Sequence, residues 1–224
     1  MKLKYLGDSK DAFKWDYHDF LMRELNFTVL EYIPMLTSEN DKDEGKSNPG
    51  EFNFCDQEIV NFCELLRKKK DLNLIQELPV YIKSSYQIKL IKNLFEHGKR
   101  IEYFSTIDPI SKNLLLFDPD NGFRGESIFN EKHIDYLELI NIYNKCADDS
   151  VLSIFHHFRR KSFMEDFQKI KEQLNQGEIK YITAVSWSNK IMFVLLAKNE
   201  NKYKRIQEVN GRYKMKNNGI NIFT

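Results

Sequence analysis

Apolar residues recur along the chain in two rhythms, one near 3.6 residues and one of unbroken short runs, and the alternation of the two predicts the elements. Residues 10–25 read as a helix, with Phe13, Tyr17, Phe20 and Leu21 on one stripe and Asp8 or Ser9 in capping position. Phe27–Met35 is β-branched and aromatic and reads as a strand. Gln57–Lys70 is a second helix, and its closing run Arg67-Lys68-Lys69-Lys70 puts cations where a helix C-terminus favours them. The spacing predicts a third helix over Tyr86–His97, stopped by Gly98, and a short strand over Ile101–Ser105. Asn113–Phe117 and Val151–Phe155 are continuous apolar runs, as expected of strands covered on both faces. Between and after them, Glu131–Cys146 and Lys161–Leu174 carry helical stripes. Tyr181–Trp187 and Ile191–Lys198 are separated by only Ser188-Asn189-Lys190, which predicts an antiparallel hairpin.

Strands alternating with helices and closing on a hairpin predict an α/β fold. The expected architecture is a doubly wound, mostly parallel, Rossmann-like sheet with a C-terminal antiparallel hairpin. No linker or internal repeat divides the chain, so residues 1–224 read as a single domain. A polar stretch at 37–53 reads as a long loop, and 199–224 as a basic tail, either solvated or forming a phosphate-contacting edge.

Composition narrows the partners. The net charge is only +1, so nothing global draws the chain to nucleic acid or a membrane surface. No stretch approaches the ~20 apolar residues of a membrane span, and the N-terminus lacks a signal-peptide core. A cytoplasmic protein without a membrane partner is expected. Cys55, Cys63 and Cys146 lack zinc-ligand spacing and read as reduced structural thiols. Trp15, Phe52 and Phe54 read as core side chains before base-stacking ones.

In open parallel sheets ligands bind beyond the carboxyl ends of the strands, and two polar clusters stand there. Asp118-Pro119-Asp120-Asn121-Gly122 follows the buried strand at 113–117, and its carboxylates and amide could act as a base, orient an amine or hold a metal. His156-His157-Phe158-Arg159-Arg160 follows the next strand, with histidine as base and Arg159 and Arg160 as phosphate clamps. Adjacent histidines on a strand point to opposite faces, so only one is expected in a site. A third cluster lies in the first helix: Asp8, Asp11, Lys14, Asp16 and His18. Asp11, Lys14 and His18 share a face, which an exposed ion-paired surface would also explain. Walker, GxSxG, HExxH and GxGxxG motifs are absent.

Two of these clusters carry a resemblance. Gly7-Asp8-Ser9-Lys10-Asp11-Ala12-Phe13-Lys14-Trp15-Asp16 resembles the N-terminal signature, roughly Gly-Asn-x-x-Asp-Val-Leu-Lys-His, of bacterial methyltransferases that modify an adenine amine in large-subunit ribosomal RNA. Gly7, Asp11 and Lys14 match; Asp8 replaces the asparagine, and Trp15 or Asp16 the histidine. Asp118-Pro119-Asp120-Asn121 is similar to the Asp-Pro-Pro-Tyr motif of class I amino-methyltransferases, with Asp120-Asn121 in place of Pro-Tyr. The closing hairpin also looks like the end of their sheet, and three-Cys-motif partner proteins share similar features. The glycine-rich loop that family carries after its first strand is replaced here by Pro34-Met35-Leu36-Thr37-Ser38.

The resemblance implies an enzyme that uses S-adenosylmethionine on nucleic acid. The cofactor would sit over the end of the first strand near Asp11, Lys14, Asp16 and Thr37. Asp118, Asp120, Asn121 and His156 would carry the chemistry, and Arg159 and Arg160 would hold the substrate. Two other readings of the residues remain open. One is a nuclease or phosphoryl-transfer enzyme with Mg²⁺ on Asp118, Asp120 and Glu126. The other is a non-catalytic interaction protein of a mobile element or defence system, built on the same scaffold.

Overall fold

The computed structural model describes residues 2–37, 54–107, 114–125, 130–157, 162–187 and 191–224. Helices cover both faces of a mixed seven-stranded sheet of order β2-β1-β3-β6-β8-β7-β9. Its strands are β1 (Val29–Ile33), β2 (Gln87–Leu90), β3 (Leu114–Phe117), β6 (Val151–His157), β7 (Tyr181–Trp187), β8 (Ile191–Ala197) and β9 (Ile220–Phe223). β2, β1, β3 and β6 pair in parallel, whereas β8 is antiparallel to both β6 and β7, and β9 to β7. Two short strands, β4 (Gly122–Phe123) and β5 (His133–Ile134), form a separate parallel ladder. The α/β expectation therefore stands; β7 and β8 pair antiparallel, their connection, 188–190, lies outside the described residues, and α7 and β9 follow them in the chain.

Side-chain alternation along the strands sorts the core into two layers. Leu30, Tyr32, Leu114, Leu116 and Phe193 face α1 (Ser9–Glu24), α2 (Gln57–Lys69), the short α3 (Leu78–Tyr81) and α7 (Glu200–Lys216). Ile33, Leu115, Phe117, Ile154 and Val194 face α4 (Arg100–Ser105), α5 (Tyr136–Lys145) and α6 (Phe163–Gln176). α1 departs from the amphipathic pattern. Twelve of its residues are buried, among them Asp11, Lys14, His18 and Asp19 as well as Phe13, Trp15 and Leu21. The helix is enclosed, packed against α2 and α7 over the sheet.

Three expectations are corrected. Tyr86–His97 is not a helix; Gln87–Leu90 adds to β1 as an edge strand. Ile88 and Leu90 fit that alternation, and pairing with β1 overrides helical propensity. Ile101–Ser105 is not a strand but most of α4, which Arg100 ties down by forking onto the Glu138 carboxylate. Residues 199–224 are not a solvated tail. Asn199 caps α7, whose Ile206, Val209 and Tyr213 are buried, and β9 then joins the sheet. The charges of that segment mask this stripe, because they occupy the remaining faces. The expected helix at Glu131–Cys146 begins only at Tyr136, where Asp135 and Glu138 form a capping box. Of the polar stretch 37–53, only Thr37 is among the described residues.

The packing of α7 gives a direct check. Tyr213 is 1% exposed, packs against Phe13, Tyr17 and Phe20, and donates its hydroxyl proton to Asp16. Tyr213→Ala is expected to cost about 3–5 kcal/mol in urea denaturation, as for other large buried aromatics. A solvated tail would lose almost nothing.

Candidate functional site

The centre of the site is a buried ion network between α1 and the end of β3. Lys14 Nζ donates to Asp11 Oδ1 and to Asp118 Oδ2, both at 2.6 Å. Tyr32, from β1, donates its hydroxyl proton to the same Asp118 oxygen at 2.6 Å. Lys14, Asp11 and Asp118 are only 2%, 5% and 4% exposed, so this contact is desolvated rather than a surface pair. Burial alone would push the Lys14 ammonium toward neutrality; Asp11 and Asp118 outweigh it and hold its pKa well above the usual lysine value. Asp118 sits where it does because β3 ends there: its N–H donates to the Ile33 carbonyl and extends the ladder with β1 by one step. Asp118 Oδ1 has no hydrogen-bond partner among the described residues.

The N-terminal turn completes the network. Asp11 Oδ2 accepts from the Gly7 N–H at 2.7 Å, and Asp8 caps α1 by accepting from the Lys10 and Asp11 N–H groups. Burial, and then the neighbouring Asp11, raises the Asp8 pKa to about 6. Gly7 has φ +77°, and a Cβ there would lie 2.1 Å from the Cys63 carbonyl and 2.6 Å from the Arg67 nitrogen. Only glycine lets the turn rest on α2 at that distance. Below Lys14, His18 bridges α1 to β6. Its Nδ1–H donates to the Lys14 carbonyl, which can only accept, so Nε2 accepts from the Ser153 hydroxyl. Burial holds this imidazole neutral and lowers its pKa to about 3.

The loop after Asp118 forms the rim. Thr37 Oγ1 donates to Asp120 Oδ2 at 3.0 Å, joining the ends of β1 and β3. The Asn121 carbonyl accepts from the His157 N–H, and His157 Nε2 accepts from Lys10 Nζ at 2.8 Å. His156 and His157 turn to opposite faces. His156 is 3% exposed, accepts from the Phe123 N–H through Nδ1 and has Nε2 3.5 Å from Asp166. Gly122, at φ +93°, passes so close that a Cβ would sit 2.4 Å from His156 Nδ1. His156 thus positions the loop. A cleft of about 1120 Å³ opens on that side between α5 and α6, lined in part by Asn121, Arg124, His156, Asp166 and Lys169.

The residues expected to form a site therefore divide. Asp11, Lys14, Asp118, Asp120, Asn121 and Thr37 converge where β1 and β3 end, with Asp8, Lys10 and His157 beside them. Asp11 and Lys14 are spent on the network itself, which leaves Thr37 as the one of the four expected cofactor ligands at the rim. Asp16 leaves the group: it is two residues from Lys14, on another side of α1, and accepts from the Asp56 N–H and the Tyr213 hydroxyl. The alternative of an exposed ion-paired face fails, because Asp11, Lys14 and His18 are buried. Arg159, Arg160 and Glu126 lie outside the described residues. Tyr32 was not expected; its signal is a tyrosine in a buried strand, whose hydroxyl needs a partner. For a metal the donor set is unfavourable, since Lys14 already neutralises Asp118. Among the described residues no three His, Cys, Asp or Glu side chains form a group that could hold an ion. None of the helices described is long and apolar enough to cross a membrane.

Comparison with known proteins finds no family model that matches the chain and no curated protein that matches it in sequence.

Two measurements check this geometry. Lys14→Met leaves two desolvated carboxylates facing each other and is expected to cost about 3–5 kcal/mol of unfolding free energy; a loss below about 1 kcal/mol would mean a solvated pair. The second concerns acid. Between pH 6.5 and about 3 the unfolded chain protonates His18 and the native state does not, so acidification draws the protein toward unfolding. Asp8 acts in the opposite sense, its raised native pKa favouring the fold as pH falls from 6 toward 3.8. Comparison with His18→Gln isolates the histidine. Wild type is expected to be the more stable at pH 7.5, and the gap in urea midpoint to narrow at pH 5. A gap independent of pH would contradict a neutral buried His18.

Proposed function

We propose that the chain is a methyltransferase-like enzyme that takes S-adenosylmethionine at the carboxyl ends of β1 and β3 and acts on an amine in nucleic acid. The observation that carries this reading is the Lys14 bridge. It joins, at 2.6 Å contacts, the two segments whose sequences resemble amino-methyltransferase motifs, Gly7–Asp16 and Asp118–Asn121. Sequence separation of 104 residues makes that meeting a property of the fold rather than of local chain order. The pairing of β8 between β6 and β7, antiparallel to both, supports the same reading.

The division of labour follows from the geometry. Bound cofactor supplies an electrophilic methyl group. Lys14 and Tyr32 hold one oxygen of Asp118, so the carboxylate cannot rotate, and Oδ1 is left to accept the hydrogens of a target amine. Thr37 and Asp120 stand at the rim, where polar groups of the cofactor would be held. Asp120-Asn121 offers no aromatic ring to stack on a flipped base, so Asn121 would contact the base edge by hydrogen bonds instead. The buried network gives this carboxylate a rigid support, which catalytic geometry requires.

Titration calorimetry with S-adenosylhomocysteine tests the reading, together with transfer of labelled methyl groups to RNA. Wild type is expected to give saturable heat. Asp118→Asn, verified as folded by circular dichroism, is expected to keep the heat and lose methyl transfer by about 100-fold or more. A folded wild-type protein that gives no heat at millimolar S-adenosylhomocysteine overturns the proposal. The network would then be the strut of a non-catalytic binding protein.

A further inference from the structure

The loop that runs from Asp118 to Phe123 is held from below by one buried histidine, and the chemistry of that contact depends on a proton. His156, near the end of β6, lies on the face of the sheet away from α1. Its Nδ1 accepts the Phe123 N–H at 3.3 Å. A backbone N–H can only donate, so Nδ1 carries no proton, and in the neutral ring the proton sits on Nε2. Nε2 lies 3.5 Å from Asp166 Oδ2, on α6. Gly122, at φ +93°, crosses the same ring, so that a Cβ there would lie 2.4 Å from Nδ1 and 2.7 Å from the His156 Cα. The chain therefore passes over His156 at a distance only glycine allows, and the next residue is tied to the ring by a single hydrogen bond.

Protonation removes that bond. An imidazolium has two N–H donors and no acceptor, so in either ring orientation it offers nothing to the Phe123 N–H. On its other side the new charge strengthens the attraction to Asp166. Among the described residues, the charged and titratable groups around the ring come from two directions. α6 supplies Asp166, with Lys169 and Glu172 along the same cleft. The β4–β5 segment supplies Lys132, His133, and Arg124 with Asp135, which pair with each other at 2.6 Å. On the β8 side the neighbour is the apolar Met192. The other ties of the loop do not involve the ring: the Asn121 N–H donates to the Lys132 carbonyl, the Arg124 N–H to the Ile134 carbonyl, and Thr37 to Asp120. They persist in both protonation states, so the change expected is a local shift of the loop and not unfolding.

We propose that His156 is a positioning residue that holds the Asp118–Phe123 loop only in its neutral form, so that one proton on the ring displaces Asp120 and Asn121 from their places beyond β3. The movement is a property of the loop itself; its consequence for catalysis rests on the function proposed above. This role differs from the catalytic one the sequence suggests for His156. With Nδ1 committed to the backbone and Nε2 turned to Asp166, the ring acts on a substrate only through the loop it supports. Two other groups near the loop can titrate in the same range and are separated from His156 by the variants below. His133 bonds to Asn130 through Nδ1 and faces the Asn121 amide at 3.4 Å. Asp8, on the α1 side, has its pKa raised to about 6.

The test is NMR of the ¹⁵N-labelled full chain between about pH 8 and pH 5, the range in which histidine changes charge. At the upper end, long-range ¹H–¹⁵N correlation of the rings is expected to show His156 unprotonated on Nδ1 and protonated on Nε2. As the pH falls the ring is expected to protonate, and the Asn121, Gly122 and Phe123 amides to shift with the same midpoint. His156→Asn keeps a side-chain oxygen that can accept the Phe123 N–H but does not titrate, and is expected to abolish these shifts. Asp166→Asn removes the charge that favours the imidazolium, so the midpoint should move to lower pH. In methyl-transfer assays kcat should fall with the wild-type midpoint, and that step should be missing from His156→Asn. A ring protonated on Nδ1 at the upper end overturns the proposal, and this measurement needs no variant to fold. So does a ring that stays neutral throughout, loop amides that ignore its titration, the same shifts in His156→Asn, a midpoint unmoved or raised in Asp166→Asn, or loss of the whole folded spectrum in place of a local change. Cofactor heat reports separately: ring-linked shifts without heat from S-adenosylhomocysteine leave His156 as a positioning residue and remove the enzyme reading, and heat without ring-linked shifts does the reverse.

Discussion

One ammonium group between two buried carboxylates organises the molecule. Removing Lys14, Asp11 and Asp118 from water costs several kcal/mol per ion, and that cost is recovered only because the contacts are short and each group has further partners. Tyr32 donates to Asp118, and the Gly7 amide to Asp11. Ion networks of this kind add less to stability than their contacts suggest, but they penalise every arrangement that leaves one member unpaired. Here the penalty fixes α1 against β1 and β3 in one register, and with it the N-terminal turn, the end of α2 and the rim at Thr37 and Asp120.

This constraint explains why α1 carries charge into the centre of a protein. A helix packed only against a sheet needs one apolar stripe. α1 is enclosed by the sheet, α2 and α7, so its polar residues must find partners inside. Lys14 finds Asp118, His18 finds Ser153, and Asp16 finds Tyr213 and the Asp56 amide, each on a different neighbouring element. The same polar contacts that satisfy the helix also orient Asp118 at the strand ends, where an open parallel sheet presents its ligand sites.

The strands β1, β3, β6, β7 and β8 and the helices α1, α2 and α6 were legible in the sequence because each carries a strong period or an unbroken apolar run. β2 was not: Tyr86–His97 holds enough apolar residues at helical spacing to mimic a helix, and only its place beside β1 decides otherwise. α7 was hidden for a different reason, its buried Ile206, Val209 and Tyr213 being outnumbered by lysine and arginine. At the site, Asp118 and Asp120 were legible as carboxylates after a buried strand, and Asp11 with Lys14 as a helical pair. Their burial and their meeting were not, because spacing specifies which residues share a helix face but not what covers that face. Tyr32 and the Lys10–His157 contact depend wholly on that packing.

The most direct test of the account is the coupling between Lys14 and Asp118. A double-mutant cycle of Lys14→Met, Asp118→Asn and the double variant, followed by urea denaturation, measures it without reference to any substrate. A desolvated pair at the heart of the fold predicts that the second substitution recovers much of what the first destroys, a coupling of about 1.5–3 kcal/mol. Additivity within about 0.5 kcal/mol would show that the two side chains do not depend on each other, and would contradict the account.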